Sequence, residues 1–245
     1  MLDEKIKQRL CLALDVNTLS EAVRFVETLK DYVGLFKIGF QLFTNEGPKA
    51  VEAIKRLGGR VFLDLKFHDI PNTVAAAARM VTALGVDMFN IHASGGSEMM
   101  RAAVVAAQEE TIRLGIVNPK VLAVTVLTSI NDEILSKELI VSNPVRDQVV
   151  HLAMLSKEAG VSGVVASPKE IRLIRESCGA GFVILTPGIR PLWSANLDDQ
   201  KRITTPQDAI ALGADYIVIG RPILRSDNPV ETSKQILSEI DAAQT

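Results

Sequence analysis

The stretch VFLDLKFHDIPNTVAAAARMVTALGVDMFNIHA, residues 61–93, holds one full copy of the pattern that decides the fold. Its two ends, 61–66 and 88–93, are short and largely apolar, as buried parallel strands are. The segment 73–84 between them has helical periodicity, and Gly85 falls where that helix should stop. The stretch therefore predicts a strand, a helix and a second strand in succession.

The same strand-then-helix pattern recurs eight times along the chain. Candidate strands lie at 10–15, 35–39, 61–66, 88–93, 121–127, 163–167, 182–188 and 216–220. Candidate helices lie at about 18–32, 44–58, 73–84, 97–114, 144–159, 168–177, 205–213 and 229–242. Eight such units without a break in composition favour an α/β fold, a single (β/α)8 TIM barrel domain over residues 1–245. The alternative is an open doubly wound sheet. A dinucleotide-binding version of that sheet requires a glycine fingerprint after the first strand, which ALDVNTLSEA (13–22) lacks.

Composition and charge exclude several classes of protein. The chain has 245 residues, 47% apolar and 23% charged, and a net charge of −2, which provides no basic field for nucleic acid. No segment approaches the roughly 18 apolar residues of a membrane span. The apolar run after the charged N-terminus is too short for a signal peptide. Cys11 and Cys178 lack metal-ligand spacing and are typical of reduced, buried thiols. We expect a cytoplasmic protein with no nucleic-acid or membrane partner.

Charged residues occupy the strand ends, where barrels place catalytic groups. Asp64 and Lys66 are two residues apart and so share one face of their strand, and Lys37 and Asp69 could join them in an array of alternating charge. Two such charges about 4 Å apart interact by roughly 4 kcal/mol at an effective dielectric of 20. A structural ion pair is the alternative, but desolvation makes such an array a poor source of stability. We therefore favour a functional site in which Lys66, kept protonated, is a general acid.

A metal or cofactor is not expected at this array. The flanking ammonium groups oppose a cation, and no pair of His or Cys residues has ligand spacing. His92, at the end of the fourth strand, is interpreted as a hydrogen-bonded structural residue rather than a base.

A second group of residues predicts a phosphate site. Gly220 and Arg221 end the eighth strand, where a backbone without a Cβ and a guanidinium can both approach an anion. The long loop 186–202 after the seventh strand contains Arg190 and Gln200 and is typical of a lid that closes on an anion. Barrels often bind phosphate at these two loops.

The stretch FLDLKFHDIPNT (62–73) resembles the D-x-K-x-x-D signature of the orotidine 5′-phosphate decarboxylase family. Sugar-phosphate aldolases and decarboxylases of the wider superfamily share that signature, but HDIPNT together with TPGIR (186–190) and IGRPI (219–223) narrows the resemblance to this family. Further segments follow in the family's order: ALD (13–15), FKIG (36–39), NIHASGG (90–96) and VTVLTS (124–129).

The resemblance implies cofactor-independent decarboxylation of orotidine 5′-phosphate to UMP by a homodimer with shared active sites. Lys66 would protonate C6 of the pyrimidine and Asp64 would lie beside the substrate carboxylate. Asp69 and Thr73 would come from the partner subunit. The remaining substrate contacts that the resemblance implies are Asp15 and Lys37 at the ribose, Thr128 and Pro187 at the pyrimidine, and Arg190, Gln200, Gly220 and Arg221 at the phosphate.

Two other functions stay open at this point. One is a Mg-dependent sugar-phosphate aldolase on the same barrel, and the other is a non-catalytic nucleotide-binding barrel that keeps only the phosphate site. The HDIPNT, TPGIR and IGRPI segments disfavour the aldolase, and the intact Asp64, Lys66 and Asp69 disfavour the binding protein.

Overall fold

The structure is a computed structural model that describes residues 3–197 and 204–243. Its strands are β1 Leu10–Ala13, β2 Leu35–Gly39, β3 Val61–Phe67, β4 Met88–His92, β5 Lys120–Val124, β6 Gly163–Val165, β7 Val183–Thr186 and β8 Tyr216–Ile219. Each strand pairs in parallel with the next, and β1 pairs with β8, which closes the barrel. The predicted (β/α)8 barrel is confirmed, and its extent as one domain over residues 1–245 stays a prediction.

One short helix precedes β1, and helices follow each of the eight strands. They are α1 Glu4–Lys7, α2 Leu19–Leu29, α3 Phe40–Glu46, α4 Pro48–Arg56, α5 Pro71–Ala83, α6 Gly96–Leu114, α7 Asp132–Lys137, α8 Val145–Glu158, α9 Ile171–Cys178, α10 Pro206–Ala211, α11 Arg221–Leu224 and α12 Pro229–Ala242. Short 3₁₀ turns occupy Ala93–Gly95, Pro168–Glu170 and Leu192–Leu197. Within the described part of the chain, no helix has the length and apolarity that crossing a bilayer requires.

Side-chain capping explains where several helices begin. Thr18 and Glu21 form a reciprocal capping box at the start of α2. Thr205 and Asp208 form another at α10, where Pro206 occupies the first helical position as the sequence predicted.

The sequence-based helix boundaries were wrong at one place in particular. A single helix was predicted over 44–58, but α3 ends at Glu46 and α4 begins at Pro48. Gly47 between them has a φ of 61°, a left-handed conformation that glycine tolerates and that interrupts a helix. The short helices α1, α7 and α11 were not predicted either.

Strand alternation divides the core into two layers and places the site. Outward-facing side chains pack against the helices in the larger apolar cluster. The inward-facing ones fill the barrel: Cys11, Ala13, Leu35, Phe62, Met88, Leu122, Leu185 and Val218. Two residues beyond Leu35 and Phe62 the same inward rows continue with Lys37 and Asp64. The barrel interior therefore changes from apolar to charged toward the carboxyl ends of β2 and β3.

Candidate active site

Four charged side chains form a continuous chain of ion pairs across the mouth of the barrel. Lys37 Nζ lies 3.1 Å from Asp15 Oδ1 and 3.4 Å from Asp64 Oδ2. Lys66 Nζ lies 2.6 Å from the other oxygen of Asp64, Oδ1. The order is therefore carboxylate, ammonium, carboxylate, ammonium, and the charges of these four side chains sum to zero. The structure brings together three members of the predicted array, Lys37, Asp64 and Lys66, and adds Asp15 to them.

The pKa values at the centre of this array favour the charged forms. Burial raises the pKa of Asp64, but the ammonium groups of Lys37 and Lys66 and hydrogen bonds from Lys66 and Asn90 outweigh it, so the pKa lies below its ordinary value. Burial lowers the pKa of Lys37, yet Asp64 and Asp15 outweigh that effect and raise it. Asp64 therefore stays ionised and Lys37 stays protonated in spite of their burial.

Gly39 leaves the space in which the Lys37 ammonium lies. A Cβ at this position would come within 2.9 Å of Lys37 Nζ and 3.8 Å of Asp15 Oδ1. Any larger residue would displace the ammonium, so the glycine that ends β2 is part of the site's geometry.

Two residues that sequence reasoning missed contact the Lys66–Asp64 pair. Asn90 is fully buried, and its amide nitrogen donates to Asp64 Oδ1 over 2.7 Å. Phe40 lies beneath the ammonium of Lys66, with its ring centroid 5.3 Å from Nζ. The sequence did contain a signal for Asn90, because it stands two residues after the inward-facing Met88 and so continues an interior row.

A cavity of about 210 Å³ opens beside the array. Lys37, Asp64 and Lys66 form its charged side, and Thr128 and Pro187 also line it. The rest of its wall is apolar and includes Phe62, Val126, Leu127, Val165, Leu185 and Val218. A flat ring placed here would have apolar walls on one side and ammonium and carboxylate groups on the other.

A second cavity, of about 570 Å³, contains the basic residues predicted to bind phosphate. Arg190, Arg221 and Arg225 line it, together with Trp193 and Ser194. Gly220 directly precedes Arg221, and a Cβ at Gly220 would come 3.6 Å from Asp15 Oδ2 and 3.3 Å from the Cβ of Ala13, so this glycine lies close to the array. Gln200 falls outside the described residues.

Asp69 and Thr73 do not join the array of their own chain. Both are exposed, and Asp69 forms no ion pair with any residue in the described ranges. Its carboxylate instead accepts a 2.6 Å hydrogen bond from the backbone N–H of Ile70. The three-residue spacing from Lys66 thus carries Asp69 out of the barrel mouth and toward the protein surface.

His92 lies against His68, with the ring centroids 5.3 Å apart. Burial lowers the pKa of His92, the charges of His68 and Lys66 lower it further, and Asp64 only partly opposes them. A neutral imidazole is therefore expected at neutral pH. Residues 3–197 and 204–243 contain no group of three or more His, Cys, Asp or Glu side chains that could hold a metal ion.

Residues 8–236 match the sequence pattern of the Orotidine 5′-phosphate decarboxylase / HUMPS family. The chain belongs to this family. The resemblance found in the FLDLKFHDIPNT stretch is therefore confirmed over nearly the whole sequence.

Relatives of this family member match it over nearly the full length of both chains. A protein from Syntrophomonas wolfei named orotidine 5′-phosphate decarboxylase is 54% identical over 236 residues, which cover 96% of this chain and 98% of the relative. One of the same name from Moorella thermoacetica is 50% identical and covers 98% and 95%. The crystal structure of orotidine 5′-phosphate decarboxylase from Lactobacillus acidophilus superposes with a TM-score of 0.84 at 35% identity, over 95% of this chain and 98% of that one.

Proposed function

We propose that the protein decarboxylates orotidine 5′-phosphate to UMP and CO2 in pyrimidine biosynthesis, without a cofactor. The observation that carries this proposal is the alternating array Asp15–Lys37–Asp64–Lys66 beside a mostly apolar cavity, in a chain of the orotidine 5′-phosphate decarboxylase family. The relatives' names support it over both the aldolase and the non-catalytic binding protein.

Lys66 is the proton donor in the proposed reaction. When the bond between C6 and the carboxylate breaks, the electron pair stays on C6 as a vinyl carbanion that has no electron sink. An ammonium already held beside that carbon stabilises the charge with little reorganisation and then transfers its proton to C6. Asp64, 2.6 Å from Nζ, orients the ammonium, and the amine that remains regains a proton from water.

Asp64 also disfavours the bound substrate in this proposal. Its ionised carboxylate would lie beside the substrate carboxylate, and the repulsion ends when CO2 departs. Asp15 and Lys37 would bind the ribose hydroxyls, while Thr128 and Pro187 would contact the pyrimidine from their positions on the cavity wall.

The phosphate would bind at Arg190, Gln200, Gly220 and Arg221. Arg190 and Arg221 line one cavity, and the guanidinium fork suits phosphate oxygens. Phosphate contacts, which are remote from C6, supply binding energy that can be used to lower the barrier at the reacting carbon.

A homodimer with shared active sites is part of the proposal. Asp69 and Thr73 are exposed at the start of α5, and Asp69 has no cation to pair with among the described residues of its own chain. Large apolar side chains are exposed on the same side of the fold, including Ile70 at 67% and Phe40 at 57%. A second copy that covered them would bring its Asp69 to the neighbouring array. A cytoplasmic location also stays a prediction.

The reaction is tested by following the loss of orotidine 5′-phosphate absorbance with the purified protein. Turnover to UMP supports the proposal, and UMP binding without turnover would favour the non-catalytic barrel. The shared site is tested by mixing and refolding Lys66→Ala and Asp69→Ala chains in equal amounts. Half of the dimers are then mixed and have one intact site of two, so about a quarter of the wild-type activity should return. No recovery, or a fully active monomer in sedimentation, contradicts the shared site.

A further inference from the structure

The pairing register between β3 and β4 shifts next to the array. Leu63 pairs with Phe89 and Phe67 pairs with Ile91, so residues 64, 65 and 66 of β3 face only Asn90 of β4. Within this bulge Lys66 has a φ of 48°, a left-handed conformation that a non-glycine residue adopts only at an energetic cost. The strain therefore lies at the residue that is proposed to donate the proton.

The side chain of Asn90 fills the gap that the bulge leaves. Its Oδ1 accepts a 2.8 Å hydrogen bond from the backbone N–H of Lys66, which is displaced from the regular ladder. Its Nδ2 donates to Asp64 Oδ1 over 2.7 Å, and the same oxygen accepts from Lys66 Nζ over 2.6 Å. The amide thus links both ends of Lys66, through its backbone directly and through its ammonium by way of Asp64.

We propose that Asn90 is a positioning residue for the proton donor. It holds Lys66 in the left-handed conformation and orients the Asp64 carboxylate, so that the ammonium points into the cavity before substrate arrives. This inference rests on the proposed decarboxylation and extends it to a residue that touches neither the substrate nor the reacting carbon. The competing explanation is a buried amide that merely stabilises the barrel.

The chemistry of the amide makes this role specific. Asn90 is fully buried, so no water replaces a bond that is removed. A leucine of similar size would leave both the Lys66 N–H and one Asp64 interaction unsatisfied. An aspartate would keep the acceptor for Lys66 N–H but would place a second carboxylate against Asp64, and the two would share a proton only at lower pH.

The test compares Asn90→Leu and Asn90→Asp with the wild type and with Ser156→Ala. Ser156 is a matched control, since it is also fully buried and donates a hydrogen bond, to Leu152 O over 2.7 Å in α8, with no contact to the array. For Asn90→Leu we expect kcat to fall about 100-fold, the loss that a small misplacement of a catalytic group produces. The dissociation constant of UMP, measured by calorimetry, should stay within about threefold, because positioning of the donor does not alter phosphate binding.

The pH profile separates positioning from stability. For Asn90→Asp, kcat should recover toward lower pH, because a proton shared with Asp64 replaces the lost amide donor, whereas Asn90→Leu should show no recovery. Exchange of the C6 hydrogen of UMP in D2O should slow in parallel with kcat, since it uses the same ammonium.

Several outcomes overturn the inference. One is a kcat for Asn90→Leu no lower than that of Ser156→Ala; another is a fall in kcat matched by an equal loss of UMP affinity. Failure of both Asn90 variants to fold would assign the amide to stability instead. If the wild-type protein does not decarboxylate orotidine 5′-phosphate, the proposed function fails together with this inference. If the wild type is active and only the predictions for the Asn90 variants fail, the inference alone is overturned.

Discussion

Replacing Lys66 by alanine removes the proposed proton donor and one ion pair of the array. As a general acid, Lys66 should contribute about 10²- to 10⁴-fold to the rate, and as a preorganised charge beside the carbanion another 10²- to 10³-fold. We therefore expect Lys66→Ala to lower kcat by about 10⁴- to 10⁷-fold, or roughly 5–10 kcal/mol in activation free energy.

The fold should survive this substitution. Asp64 keeps Lys37 at 3.4 Å and the Asn90 amide at 2.7 Å, so its charge is not left without a partner. The cost in unfolding free energy should be about 1.5–3 kcal/mol, the range for a hydrogen bond to a charged group. That loss is small beside the 5–15 kcal/mol typical of a folded domain.

The assay is the loss of orotidine 5′-phosphate absorbance, with circular dichroism and UMP binding as checks on folding. Lys55→Ala is the matched control, because Lys55 Nζ lies 2.9 Å from Asp87 Oδ2 before β4, at the opposite end of the barrel. Activity of the control should be unchanged and its stability lowered by at most about 1 kcal/mol. A Lys66→Ala protein that keeps its kcat within tenfold of wild type would refute the assigned role.

Three further predictions concern the same array. Lys66→Gly should be more stable than Lys66→Ala by about 1 kcal/mol in urea unfolding, because glycine adopts the φ of 48° without the Cβ penalty; equal stability would show that the turn is unstrained. Because the pKa of Asp64 is lowered in the folded state, its stabilisation is present above the ordinary value of about 3.9 and is lost as the pH falls through the lowered one. Asp64→Asn should therefore lose stability less steeply below about pH 4, and an identical slope would contradict the shift. Treatment with EDTA should leave turnover intact, since two ammonium groups oppose a cation at this site; strong inhibition that added Mg²⁺ reverses would point to the aldolase chemistry.

Much of the site follows from strand periodicity. Lys37 stands two residues after Leu35 and Asp64 two residues after Phe62, so their inward direction follows from alternation along two pairing strands. Parallel strands that close into a barrel bring their carboxyl ends together, which explains why these residues meet across β2 and β3. The sequence therefore predicts the fold class and the core of the array.

The bulge in β3 could not be predicted in the same way. Simple alternation places Asp64 and Lys66 on one face, but the structure reaches their contact through a left-handed Lys66 and a register shift against β4. VFLDLK (61–66) contains no glycine or proline that would indicate the left-handed residue or the register shift. The proposed role of Asn90 depends on that register shift, so it could not be predicted from the sequence alone.

Strand ends were predicted too far along the chain. β5 was predicted to extend to residue 127 and β7 to residue 188, but they end at Val124 and Thr186. Apolar residues continue past both ends because Val126, Leu127 and Pro187 line the cavity rather than the barrel core. Hydrophobicity alone does not distinguish an apolar residue that faces a cavity from one that faces a neighbouring side chain.

The bulge has a consequence for protein design. The segment from Asp64 to Lys66 obtains its geometry from a strand with two more residues than its neighbour and from an amide on that neighbour. If the D-x-K motif alone were grafted onto another barrel, it would form a regular strand. The lysine backbone would then pair with the adjacent strand, and its ammonium would point in a different direction from that of Lys66 here. A transferable version of this site is therefore a two-strand unit, in which the length of β3 and the asparagine of β4 must be copied together.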